Sequence, residues 1–240
     1  MPAIVALAFA ARSGRAAIHE ILDRILGADA GARWYVFAVG YIVVVKLAAA
    51  AAYRAITGAW PAFGKTPFYL LLVAAAFSTP FQAGEEIGWR GFALPRMAGR
   101  LGLGGAGALL GVVWALWHLP LFLLPGTDTS GQSFPMFLLS VTALSVAMAW
   151  LYGRTSGRLL PLMVMHASVN NLKDILPSTV PGASPAFAPS PSLVAWLSTA
   201  AMGIGAIFFL LRMPNAPGSG AVTIPGKPAR TRPWPSRRNG

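Results

Sequence analysis

The sequence predicts an all-α protein, a polytopic transmembrane helix bundle of about six spans preceded by an N-terminal interfacial helix. Three observations predict it. Of the 240 residues, 55% are hydrophobic and only 11% charged, with a mean hydropathy of +0.60. A soluble domain carries about 25% charged residues, so this chain has too few to solvate the surface of a soluble core. The apolar residues also gather in blocks near the roughly 20 residues needed to cross a bilayer, and the basic residues sit in short clusters between those blocks.

The chain divides into an N-terminal apolar and amphipathic segment (1–33), a membrane domain (34–212) and a basic tail (213–240). In the first segment, residues 3–11 (AIVALAFAA) are apolar but too short to span, and no basic stretch precedes them as in a signal peptide. They read as a re-entrant or interfacial piece, or the remnant of a longer hydrophobic segment. Residues 12–28 place Ile18, Ile21, Leu22, Ile25 and Leu26 on one helical face, with Arg15, His19, Asp23 and Arg24 elsewhere. That pattern suits an amphipathic helix lying in the membrane interface.

The membrane domain reads as spans at about 34–53, 68–88, 105–124, 134–153, 159–176 and 192–212, the fifth being the shortest. Residues 177–191 hold five prolines and are expected to form an outer loop. From Pro214 the tail is dominated by Pro, Gly and Arg and is expected to be disordered and cytoplasmic.

The net charge of +12 would suit nucleic acid if it were concentrated in one patch, but its spacing between apolar blocks argues for the lipid bilayer as partner and against nucleic acid. With both termini cytoplasmic, inner segments hold Arg12, Arg15, Arg24, Arg33, Arg90, Arg96, Arg100, Arg154, Arg158, Arg212 and five tail residues. Outer segments hold only Arg54, Lys65 and Lys173. This bias supports the alternating scheme and its orientation. The chain has no cysteine, which removes disulfides, thiolate nucleophiles and Cys-based metal sites.

Chemistry must come from few residues, because the chain holds only seven acidic residues and three histidines. Glu85, Glu86, His118 and His166 all fall within or at the edge of predicted spans, where ionisable groups are costly and face a cavity or one another. In Glu85-Glu86-Ile87-Gly88-Trp89-Arg90, Glu86 and Arg90 stand four apart with the acid first, the favoured ion-pair order. Glu85 projects about 100° away. It is therefore free to act as base or ligand while Arg90 holds Glu86.

In Trp114-Ala-Leu-Trp117-His118-Leu-Pro120, Trp114 lies one turn before His118 and forms an aromatic wall beside the imidazole. In His166-Ala-Ser-Val-Asn170, the spacing of four puts imidazole and carboxamide on one face, where Asn170 can donate to a developing oxyanion. The bland alternatives are an interfacial Glu86–Arg90 pair ending a helix, a histidine hydrogen-bonding across helices, and interhelical polar packing helped by Ser168 and Asn171. The first of these leaves Glu85 unexplained.

EEIGWRG followed by W-x3-H and H-x3-N resembles the CPBP intramembrane protease family, also called the CAAX protease and bacteriocin-processing (ABI) family, which includes the type II CAAX prenyl endopeptidase. The family's pattern is E-E-x3-R, then F-x3-H, then H-x3-N or a similar residue. Glu85, Glu86 and Arg90 match the first motif, His118 the second, and His166 with Asn170 the third. Trp114 stands where the family commonly has Phe, which keeps an aromatic wall. The resemblance covers about residues 68–175.

It implies an intramembrane endopeptidase acting on a membrane-associated peptide or protein, prenylated or leader-bearing substrates among them. Glu85 and His118 would activate water, and His166 and Asn170 would bind the scissile carbonyl. Members are commonly called metalloproteases, and Glu85, His118 and His166 could supply three ligands of a Zn2+ ion with a water position left open. No H-E-x-x-H is present, and a metal-free glutamate mechanism stands equally open. Two other readings use the same residues: a proton-coupled transporter, whose inverted repeats are not visible here, and a non-proteolytic immunity or scaffold protein of the same fold.

Depth sets one condition on a shared site. At 1.5 Å per residue from the cytoplasmic ends, His166 lies roughly 10–12 Å deep and His118 roughly 18 Å. Glu85 is shallower than either unless the second helix continues inward past Arg90.

Overall fold

A computed structural model describes residues 2–27, 30–127, 129, 132–176 and 192–213. Among the described residues every regular element is helical. The expected loop at 177–191 and the expected tail from Pro214 lie outside the described residues.

Among the described residues nine α-helices carry the fold: α1 (Pro2–Arg12), α2 (Arg15–Leu26), α3 (Ala32–Thr57), α4 (Phe68–Ser78), α5 (Ala83–Glu86), α6 (Leu94–His118), α7 (Phe134–Arg154), α8 (Leu160–Leu172) and α9 (Leu193–Arg212). Four helical runs among the described residues are long and apolar enough to cross a membrane: Ala32–Thr57, Phe68–Leu123, Phe134–Arg154 and Leu193–Arg212. The chain is thus an integral membrane protein, and three of these runs match the expected spans at 34–53, 134–153 and 192–212.

Two expectations change. The spans expected at 68–88 and 105–124 belong to one helical run of 56 residues, which joins α4 through α6 without an intervening loop. Gly102 breaks it, with φ 67° and ψ 167°, a backbone region open to glycine and costly for side chains. Contacts pair across this break: Arg90 lies over Trp114 and Trp89 packs on Trp117. Arg90 and Trp114 are each twelve residues from Gly102, so the run folds back on itself there. The arm from Phe68 therefore continues past Arg90, and Glu85 and His118 both lie about 25 Å along their arms from the turn. That removes the depth mismatch posed by the sequence. It also takes Arg90 out of the inner-loop charges, since it is completely buried.

The second change concerns the segment expected to span at 159–176. It forms α8, whose 13 residues reach about 20 Å, short of the roughly 30 Å hydrocarbon core. Pro161, Leu162, Met163, Met165, His166, Ala167, Ser168 and Leu172 are buried on it. A helix apolar on all sides belongs inside a bundle, and α8 packs against α3 and α4.

Close helix approach comes from the glycines of α6. A Cβ on Gly107 would sit 2.6 Å from the Ala149 Cβ, and one on Gly111 would sit 2.6 Å from the Thr142 Cα. These contacts bring α6 and α7 together nearly backbone to backbone, as small residues do between membrane helices.

The first two helices close over one flank. In α1, Ala3, Ala6 and Ala10 are buried while Ile4, Val5, Leu7 and Phe9 face outward. α1 packs on the segment after α5, where a Cβ on Gly88 would collide with Pro2. In α2, Ile21 is buried and His19 exposed, as the amphipathic pattern predicts. Arg24 donates to the Tyr152 hydroxyl at 3.0 Å, and the Leu159 N–H donates to the Arg24 carbonyl at 2.8 Å. These bonds tie α2 to the turn between α7 and α8.

Candidate active site

Glu85 and Glu86 end α5, and the next seven residues, Ile87–Ala93, form a π-helical turn. Such turns are rare and concentrate at functional sites, because the wider ring shifts which side chains face inward. Here the Leu94 N–H reaches back five residues to the Trp89 carbonyl. Arg90, in the middle of this turn, points into the protein.

Glu86 and Arg90 are both fully buried and joined by a 2.8 Å bond from Arg90 Nη1 to Glu86 Oε1. The same Oε1 lies 2.8 Å from His166 Nδ1. A carboxylate only accepts, so His166 donates from Nδ1 and its Nε2 edge is turned to the far side of the ring. Glu86 thus holds a guanidinium and an imidazole at once through Oε1 and is shut away from solvent.

Glu85 is partly exposed and faces elsewhere. Its Oε2 accepts a 2.7 Å hydrogen bond from the indole Nε1–H of Trp114. His118, also partly exposed, sits one turn later on α6 and lies 2.8 Å from the Trp114 carbonyl through Nδ1. That carbonyl can only accept, which leaves Nε2 of the neutral imidazole with its lone pair. The His118 ring stands between Trp114 and Phe137, at centroid distances of 6.0 and 5.5 Å.

Trp114 contacts Glu85, Arg90, His118 and His166. Its ring centre is 4.3 Å from the Arg90 guanidinium carbon and 5.1 Å from the His166 ring centre. Arg90 Nε and Nη2 have no hydrogen-bond partner, and the indole face supplies the electron-rich surface such a buried cation requires.

Five of the residues expected from sequence therefore come together: Glu85, Glu86, Arg90, His118 and His166. The sixth, Asn170, is exposed one turn beyond buried His166. Its neighbour Asn171 takes the packing role, donating to Ser78 Oγ at 2.8 Å and so tying α8 to α4. Sequence reasoning missed Trp114 as a hydrogen-bond donor. The signal was the indole itself, whose N–H inside an apolar helix must find an acceptor. Lys46 is buried and donates to the Leu176 carbonyl at 3.0 Å.

Glu85, His118 and His166 have the donor chemistry of a zinc site but not its spacing. Among the described residues no group of three His, Asp or Glu side chains is arranged to hold a metal ion. One Glu85 oxygen is tied to indole and one His166 nitrogen to Glu86.

Residues 65–172 match the profile of the family described as type II CAAX prenyl endopeptidase Rce1-like. This segment is similar to the CAAX protease family. All six expected site residues lie inside the matched CAAX protease segment. The chain is also 29% identical over 117 residues to a CAAX prenyl protease 2 of Methanococcus maripaludis. That similarity covers 46% of this chain and 41% of the relative, so the chain matches less than half of the relative's length.

Proposed function

We propose that the chain is an intramembrane endopeptidase that hydrolyses a peptide bond of a membrane-associated substrate, with Glu85 as the base that activates water. The observation that carries this reading is the division between two adjacent carboxylates. Glu86 is buried and its Oε1 is committed to both Arg90 and His166, whereas Glu85 is partly exposed and holds a single hydrogen bond, from Trp114. A base needs a free, fixed oxygen within reach of water.

In the proposed step, the second Glu85 oxygen takes a proton from water held against His118 Nε2. The water oxygen bonds to the scissile carbonyl carbon, and the carbonyl becomes an oxyanion. His166 as imidazolium donates to that oxyanion, and Asn170, one turn further along α8, joins it when substrate is bound. Glu85 then passes its proton to the amide nitrogen as the C–N bond breaks. Arg90 and Glu86 orient His166 and keep the cluster near neutral in a medium that penalises net charge. No step here requires a metal.

The membrane supplies a dry surround that strengthens these interactions. The relative's name points to substrates ending in a prenylated CAAX sequence, and a farnesylated peptide is the natural first probe. With the N-terminus cytoplasmic, the Gly102 turn faces the cytoplasm and the substrate is drawn from the inner leaflet.

The test is cleavage of an internally quenched farnesylated CAAX peptide by purified protein in detergent. Glu85→Gln and His118→Ala should each reduce kcat by roughly 100-fold or more, the usual worth of a general base. Full activity in both variants would show that catalysis is the wrong account.

A further inference from the structure

We propose that Trp114 is a positioning residue whose indole N–H fixes the Glu85 carboxylate and keeps it from pairing with Arg90. Its effect on rate rests on the reading of Glu85 above, but its geometry does not. Glu85 stands next to Glu86 on the same short helix and close to the same buried guanidinium. Arg90 offers Glu86 only Nη1, while Nε and Nη2 remain without hydrogen bonds. In an apolar surround, a second carboxylate is strongly drawn to those vacant donors. A Glu85 that turned to them would no longer present an oxygen to water.

Trp114 prevents this in two ways. Its Nε1–H takes Glu85 Oε2 at 2.7 Å, a short charge-assisted bond. Its ring lies over Arg90 at 4.3 Å and covers the guanidinium face. Both contacts come from one buried residue, 3% exposed, whose backbone carbonyl also fixes His118. Phenylalanine could supply the ring but not the N–H. The hydrogen bond is therefore a separable part of the design.

Two replacements isolate it. Trp114→Phe keeps an aromatic face, and benzothienylalanine at position 114 keeps the full two-ring shape with sulfur in place of N–H. Each should lower kcat on the quenched farnesylated peptide by roughly 10- to 100-fold, the scale of losing a hydrogen bond to a charged group or misplacing a reacting group. KM should stay within about twofold, since the loss falls on the chemical step. A purely structural role would instead lower the melting temperature in Trp114→Phe and spare the isostere.

The second arm needs no substrate. In protein labelled with 15N-tryptophan, the Trp114 indole resonance is the one lost in Trp114→Phe. It should lie downfield and move upfield in Glu85→Ala. An unmoved resonance, or an isostere with wild-type kcat while Glu85→Gln is inactive, overturns the proposal. If Glu85→Gln itself keeps full activity, the hydrolase reading fails, while the resonance still decides the geometry.

Discussion

Replacing Arg90 by methionine removes one half of a buried ion pair and leaves the other half in place. Arg90 and Glu86 are both 0% exposed and bonded at 2.8 Å, so no water can take over from the guanidinium. Breaking such a pair by deleting one partner costs about 3–5 kcal/mol, because a buried charge is left uncompensated. His166 shares the same Glu86 oxygen and keeps part of its compensation. The expected loss is therefore near the lower end, about 3 kcal/mol. Methionine fills much of the arginine volume, which limits the added cavity cost.

Removing both charges should cost less than removing one, since apolar replacement of a buried pair is often nearly neutral. The assay is reversible unfolding in mixed micelles for wild type, Arg90→Met, Glu86→Gln and the double variant, read as a double-mutant cycle. A coupling of about 2 kcal/mol or more supports the buried pair as described. Additive single losses, or an Arg90→Met cost below about 1 kcal/mol, would refute the reasoning, since a pair exposed to water is worth no more than that.

Three further outcomes follow from particular contacts. Gly111→Ala should destabilise the protein by about 1–3 kcal/mol through overpacking, because its Cβ meets the Thr142 and Ser145 positions at 2.6 and 2.8 Å. Gly40→Ala, with open space around it, should be neutral or stabilise by up to about 1 kcal/mol through helix propensity; chemical denaturation compares the two. Because the proposed step uses no metal, a strong chelator should leave kcat unchanged, whereas complete loss restored by zinc would favour ligation by Glu85, His118 and His166. The chain has no cysteine, so single cysteines report topology cleanly: in intact cells an impermeant maleimide should label Lys65→Cys and spare Arg100→Cys, and the reverse pattern would invert the proposed orientation.

The long apolar runs were legible in the sequence because hydropathy is a property of composition, and three of them fall within a few residues of their expected bounds. The interval 89–104 was not legible. Arg90, Arg96 and Arg100 made it resemble an inner loop, yet only Arg96 and Arg100 are exposed. Arg90 is inside because Glu86 neutralises it four residues earlier, a pairing visible in the sequence whose depth was not. The short α8 shows why apolar composition alone does not set the span count, since it does not distinguish a lipid-facing helix from one buried within the bundle.

Within the site, helical spacing correctly separated Glu85 from Glu86. The same rule put Asn170 on the face of His166, but near the end of the helix Asn170 is exposed while His166 is buried. Contacts between arms, above all the one from Trp114 to Glu85, depend on where the run turns. A glycine-rich stretch does not say which of its glycines adopts the left-handed backbone.

The measurement closest to the central claim compares the two neighbouring glutamates in one assay. Glu85→Gln should abolish cleavage of the farnesylated peptide while leaving the melting temperature near wild type, and Glu86→Gln should lower both stability and activity. A Glu85→Gln enzyme that turns over at the wild-type rate contradicts the account. So does a pair of variants with identical losses of stability and rate.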